Sequence, residues 1–171
     1  MRPSSHVVVM ARRPQLGRVK TRLADGLGKE AALSFYSRTL KRLIKRLDGD
    51  GRWQTVLAVT PASEARRGGL WTRGLPTLAQ AQGDLGDRMQ AAIDAMPTGP
   101  VVLVGSDVPG LKARHIALAF RALEQHDVIL GPSDDGGYWL IGVAAQCREA
   151  RLFGSVRWSS AHALEDTIAG L

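Results

Sequence analysis

The 171-residue sequence predicts an α/β domain, a three-layer α/β/α sandwich with a mostly parallel central sheet. Three observations predict it. Short β-branched apolar runs alternate with segments of helical periodicity along almost the whole chain. The composition, 44% apolar and 23% charged, is that of an ordinary globular protein. The residue clusters that could carry chemistry follow directly after apolar runs, and ligands of parallel sheets bind at the carboxyl ends of the strands.

The elements follow in order. "HVVVMA" (6–11) is short, continuous and β-branched, which suits a strand buried on both faces. The basic segment after it, "MARRPQLGRVKTRLA" (10–24), reads as a loop running from that strand's end to a helix start. From Lys29 to Leu47, the residues Leu33, Tyr36, Leu40, Leu43, Ile44 and Leu47 recur at helical spacing. The cations Arg38, Lys41, Arg42, Lys45 and Arg46 lie mostly off that stripe, which predicts an amphipathic helix ending near "DGDG". "QTVLAVT" (54–60) is a second buried strand closed by Pro61, and "LPTLAQ" (75–80) a weaker third, with an arginine- and glycine-rich connection between them. Asp84 can cap the next helix, whose Leu85, Met89, Ile93 and Met96 form a stripe that Pro97 stops. "PVVLVGSD" (100–107) is the clearest strand, followed by a helix over 111–126. "DVILG" (127–131) and "YWLIGV" (138–143) are two further strands around the turn-rich "PSDDGG". The length fits one domain over residues 1–171.

Charge is unevenly placed within a net +7. Residues 1–73 hold 16 basic and 5 acidic side chains (+11), and residues 74–171 hold 7 and 11 (−4). A basic half attracts phosphates and an acidic half offers carboxylates to a divalent cation, although arginines on helix faces are also ordinary solvated surface. A single cysteine, Cys147, argues against a disulfide framework, and the short opening apolar run is no signal peptide, so a cytoplasmic address is expected. No apolar run reaches the roughly 20 residues of a membrane span.

Four clusters carry the candidate chemistry. In the opening loop, Gly17, Lys20 and Arg22 offer cations and backbone N–H groups suited to a pyrophosphate, without the Walker spacing or a GxGxxG. In "GSDVPG", Asp107 ends an apolar strand, where a carboxylate is costly unless it meets a cation or a hydrogen-bonded turn. "SDDGG" adds Asp134 and Asp135, which equally make a turn. In "AQGDLGDRM", Asp84 and Asp87 suit a helix start, while Gly83 and Gly86 permit either a flat ligand ring against the backbone or a tight turn. The four histidines show no metal-ligand spacing, Cys147 has no evident base, and Trp53, Trp71, Trp139 and Trp158 read as packing residues.

Taken in order, "KTRL", "QGDLGDRM", "GSDVPGL", "GPSDDGGYWLIG" and "LFGSVRWSS" resemble the nucleotide-diphospho-sugar transferase superfamily with the GT-A fold, most closely its small bacterial DUF2064 family. The resemblance spans nearly the whole chain. It implies a nucleotide site of Arg13, Lys20, Arg22, Gly83, Asp84 and Ser106, a metal (Mg2+ or Mn2+) on Asp107 and Asp135, and catalytic roles for Lys20 and for Asp134 or Asp135. Two departures stand out: Asp107 lies between Ser106 and Val108 rather than in a full DxD, and the chain stops at Leu171, short of the Asp-containing segment that usually follows "WSS".

The function so implied is metal-dependent glycosyl transfer from a nucleotide-sugar to a small-molecule acceptor. The alternative keeps the pocket and breaks a different bond: nucleotidyl transfer from a nucleoside triphosphate to a phosphorylated small molecule, with pyrophosphate leaving. A third reading, nucleic-acid binding through the basic helix 29–47, rests on a pI near 10.3, and the clustered carboxylates weigh against it. The oligomeric state is left open.

Overall fold

Strands β1 (His6–Arg12), β2 (Gln54–Thr60), β3 (Thr77–Ala79), β4 (Val101–Gly105), β5 (Val128–Pro132) and β6 (Tyr138–Val143) form one sheet in the order β3-β2-β1-β4-β6-β5. This computed structural model describes residues 4–67, 69 and 71–171. Pairings β1–β2, β1–β4 and β2–β3 are parallel, and β6 alone runs against its neighbours β4 and β5. After β1 the chain builds outward through β2 to β3, then returns to place β4 on the other side of β1. Such a reversal of strand order opens a crevice at the carboxyl ends of the two strands involved, here β1 and β4.

Alternation along the strands divides the core into the two expected interlayer regions. Val7, Val9, Leu57, Val59, Val102 and Val104 face one side, covered by α2 (Lys29–Asp48) and α5 (Ala113–Ala122). Val8, Val56, Ala58, Leu103, Ile141 and Val143 face the other, covered by α4 (Leu85–Asp94) and the segment that carries Leu152 and Trp158. The α2 stripe behaves as its periodicity predicts: Tyr36, Leu40, Leu43, Ile44 and Leu47 are buried, and Leu33 is half-buried. Arg148 closes the second layer by donating to the carbonyls of Ile93 and Met96, 2.6 Å each, and to that of Pro97, placing its positive charge at the carboxyl end of α4.

Several boundaries differ from the sequence reading. The basic segment is a loop only to Lys20, and α1 (Thr21–Leu27) then begins, because Lys20 turns the chain into the helix through a left-handed conformation. The connection after β2 holds a short helix, α3 (Glu64–Arg67), invisible to periodicity at four residues. The third strand shrinks to three residues, and the helix expected over 111–126 occupies 113–122. Leu85, expected on the buried stripe of α4, is 42% exposed because it opens the helix at the rim of two clefts. A C-terminal helix, α6 (Ala163–Ala169), follows the "WSS" segment. Arg157 and Asp166 join the two through a forked ion pair (2.7 and 2.8 Å), which holds the Asp166 carboxyl well below its usual range. Among the described residues no helix is long and apolar enough to cross a membrane.

His6 opens β1 and is 3% exposed, with Nδ1 buried away from any protein partner. Burial lowers its pKa first and the Arg148 charge second, against an opposing backbone hydrogen bond with Ser4. With the folded pKa below the unfolded one, the unfolded chain binds the extra proton between the two values. This contribution to stability is therefore complete above about pH 6.5 and is lost as the pH falls. Thermal melts from pH 7.5 to 5 should show a decline, and His6→Leu should flatten its upper part; an equally steep profile in the variant would place the acid sensitivity elsewhere.

Candidate functional site

The crevice between β1 and β4 has a volume of about 310 Å³, and its lining includes Arg12, Arg18, Lys20, Gln80, Arg88 and Asp107. Four basic residues thus line the crevice with one carboxylate. Lys20 comes from the start of α1 and Asp107 from the first residues after β4, and the Lys20 ammonium pairs directly with the Asp107 carboxylate. Lys20 adopts φ 51° and ψ 46°, a left-handed conformation that L-residues with long side chains seldom hold. Partial burial draws its pKa below the usual lysine range. Gln80, just past β3, donates from Nε2 to Ala58 O (2.9 Å) and Ala11 O (3.3 Å), tying two strand ends beneath the crevice.

A second cleft, about 620 Å³, meets the first at Leu85, which lines both. Arg22, Asp135, Tyr138, Trp158 and the serines 133, 159 and 160 line it. Asp135 lies in the β5–β6 turn, where its Oδ1 accepts from Ser133 Oγ (2.5 Å) and Gly137 N (3.1 Å). The Ser133 bond, then the Gly137 bond, hold this carboxyl below its usual range, which makes it a weak base and a steady hydrogen-bond acceptor. The opposite wall is pinned to the same turn by Leu164 N donating to Gly136 O (2.9 Å). A larger cleft, about 900 Å³, lies elsewhere, against Gly99 and Arg148. It is at the end of the sheet where β1 and β4 begin, remote from the strand ends that gather the cations.

The structure therefore sorts the sequence candidates. Lys20 and Asp107 meet in the crevice. Ser106 is buried at its floor, 3.2 Å from the Tyr36 hydroxyl. Lys20 and Arg22, two apart in sequence, diverge to different clefts because Lys20 caps α1 and Arg22 lies inside it. Arg13 turns to α3, where it pairs with the buried Glu64 at 2.8 Å, and Trp71 Nε1 donates to the same carboxylate at 3.3 Å. Asp84 caps α4: its carboxylate accepts from Asp87 N (2.9 Å), and the Asp87 carboxylate accepts from Asp84 N (3.1 Å). The glycines beside it serve this local packing. A Cβ on Gly83 would collide with the Asp87 carboxylate, and one on Gly86 would come within 2.8–2.9 Å of Phe153 and Trp158. Asp134 is exposed at the turn and lines neither cleft. Among the described residues no three His, Cys, Asp or Glu side chains converge, and Asp107 and Asp135 line separate clefts.

Arg18, Gln80, Arg88 and Tyr36 escaped the sequence reading. Arg88 lies inside the quoted "QGDLGDRM" and Gln80 two residues before it, and the end of a strand was the available signal for Gln80. Tyr36 carried the signature of a core position and gave no other.

The fold has known counterparts. A candidate nucleotide-diphospho-sugar transferase from Desulfovibrio desulfuricans G20 superposes with a TM-score of 0.88 at 27% identity, covering 98% of this chain and 74% of that one. A cytidylyltransferase from Leptospira borgpetersenii shares the fold alone, at TM-score 0.59 and 13% identity over 86% of this chain and 63% of that one. The 2-phospho-L-lactate guanylyltransferases of Methanocaldococcus sp. FS406-22 and Methanocaldococcus jannaschii are each 25% identical over 119 residues, 70% of this chain. The chain spans about half of those relatives' length, 51%. Residues 43–160 match the family model described as an uncharacterized protein conserved in bacteria, DUF2064, and the chain belongs to that family.

Proposed function

We propose that the chain is a transferase acting on a nucleotide donor, with the donor's phosphates in the β1–β4 crevice and a small-molecule acceptor in the adjoining cleft. The observation that carries this reading is the set of four basic residues lining the crevice with Asp107 at the reversal of strand order. Of the two bonds such a site could break, the charge balance favours nucleotidyl transfer. Four basic residues less Asp107 give about +3, or about +5 with a divalent cation; a triphosphate's roughly four negative charges nearly neutralise the metal-loaded site, whereas a nucleotide-sugar's roughly two leave it well in excess. The acceptor's oxygen attacks the α-phosphorus from the second cleft, the bond to the β-phosphate breaks, and pyrophosphate leaves. Lys20 and Arg18 hold the charge that grows on the departing phosphates, and Asp135 orients the acceptor. Asp107 fits a divalent cation, Mg2+ or Mn2+, as one ligand among phosphate oxygens and water; such an ion would neutralise charge on the leaving group.

Glycosyl transfer from a nucleotide-sugar, the leading expectation from the sequence, becomes the second reading, and the lining of the second cleft supports it. Tyr138, Trp158 and three serines offer the aromatic face and hydroxyl partners that a sugar takes. Thermal melts with nucleoside triphosphates and nucleotide-sugars, each with and without Mg2+ or Mn2+, separate the readings. A saturating triphosphate should raise Tm by about 5–10 °C. A nucleotide-sugar outperforming the matching triphosphate would move the assignment to glycosyl transfer, and no response to any nucleotide would overturn both.

A further inference from the structure

Backbone pairing between β1 and β4 ends at Met10 and Gly105, with a last bond from Ser106 N to Met10 O at 3.1 Å. Beyond it the strand ends part: Arg12 stays in register with Thr60 of β2, while the other strand runs on into Ser106 and Asp107. The gap is spanned by one side chain from a different layer. Tyr36 of α2, only 4% exposed, brings its hydroxyl to Arg12 N (3.0 Å), Arg12 O (2.8 Å) and Ser106 Oγ (3.2 Å). A phenol has one hydrogen to give. With that hydrogen on Arg12 O, the bond to Ser106 is donated by the serine, so Ser106 turns only lone pairs toward the crevice and has no proton for a phosphate oxygen.

We infer that Tyr36 is a positioning residue for donor binding: its hydroxyl fixes the separation between the β1 end that leads to Lys20 and the β4 end that carries Asp107. This rests on the proposed nucleotide site. Lys20 and Asp107 bind the same group only if these ends keep one spacing, and the last backbone bond between them, Ser106 N to Met10 O, stops two residues short of Arg12. A crevice without the bridge has to be ordered by the ligand itself, which weakens binding while leaving the hydrophobic core intact.

The test uses the full chain, GTP and GDP-mannose as probes, isothermal titration for affinity and thermal melts for stability. Tyr36→Phe removes the bridging oxygen and keeps the ring in the core. It should bind the preferred probe about tenfold more weakly, with Tm within a few degrees of wild type. Ser106→Ala cuts only the β4 side of the bridge and should weaken binding to a lesser degree. The double variant should be no weaker than Tyr36→Phe alone, because both changes break one connection. Unchanged affinity in Tyr36→Phe, or losses that multiply in the double variant, would overturn the inference and leave the proposed function standing. Failure of the wild-type chain to bind GTP, GDP-mannose and every other nucleotide of the thermal screen would bring down both.

Discussion

Replacing Lys20 with glycine should leave the protein at least as stable as wild type while cutting its nucleotide-dependent rate by about two to three orders of magnitude. The two effects have separate origins. A left-handed backbone costs a non-glycine residue about 1 kcal/mol, and glycine removes that cost. The ion pair lost with the side chain has its Lys and Asp partners 28% and 39% exposed, and a pair so placed contributes about 0–1 kcal/mol. The terms offset, and Tm should hold or rise slightly. Function has no such compensation, because the ammonium is the cation held against Asp107, and removing a preorganised partner of transition-state charge typically costs about 10²–10³ in rate. Lys20→Arg should restore little, since a planar guanidinium does not reproduce the point charge of an ammonium in this backbone geometry. Melting curves and turnover measured on the same preparations decide the matter. If stability and rate fall together, Lys20 is a structural residue and its strain has no functional meaning.

The second large effect is structural. Gly136→Ala should lower stability by about 3 kcal/mol, or roughly 6–12 °C in Tm. Gly136 sits at φ 80°, and an added Cβ would overlap the Ala161 carbonyl and come within 2.6 Å of Ala161 Cα. The left-handed backbone and the backbone collision add, and neither can relax without moving the other wall, because Leu164 N is bonded to Gly136 O. Asp135 and the 159–161 wall of the second cleft would shift together. Gly154→Ala is the control: nothing lies within 4 Å of its Cβ, and its stability should stay within about 0.5 kcal/mol of wild type. A Gly136→Ala protein as stable as that control would show that the turn and the wall are not rigidly joined.

What could be read from the chain depended on how locally each feature is encoded. Strands β1, β2 and β6 were legible to within a residue, and β4 to within two, because each is an uninterrupted apolar run, and α2 because its twenty residues repeat one stripe five times over. The four residues of α3 and three of β3 give no periodicity to read. The site divides in the same way. Lys20 and Asp107 stood out because a cation and a carboxylate directly follow apolar strands. Arg22 looked like a partner of Lys20 because nothing in the sequence reveals that α1 begins between them. The glycines at 83 and 86 invited a ligand, and the space is taken instead by Asp87, Phe153 and Trp158, two of which lie some seventy residues away. Tyr36 was hidden because its ring obeys the core pattern and only its hydroxyl departs from it.

The pairing of β1 with β4 sets His6 opposite Val101, joining the first strand to one nearly a hundred residues later. Parallel contacts of such separation form late, since the intervening chain must be ordered before the pairing gains anything. During synthesis the loop bearing Lys20 is therefore made long before its partner Asp107 leaves the ribosome, and a nascent chain ending before that strand has half a crevice with unopposed cations. The proposed nucleotide binding would accordingly arrive only once β4 has paired with β1, and its recovery on refolding would report the closure of this one strand pair.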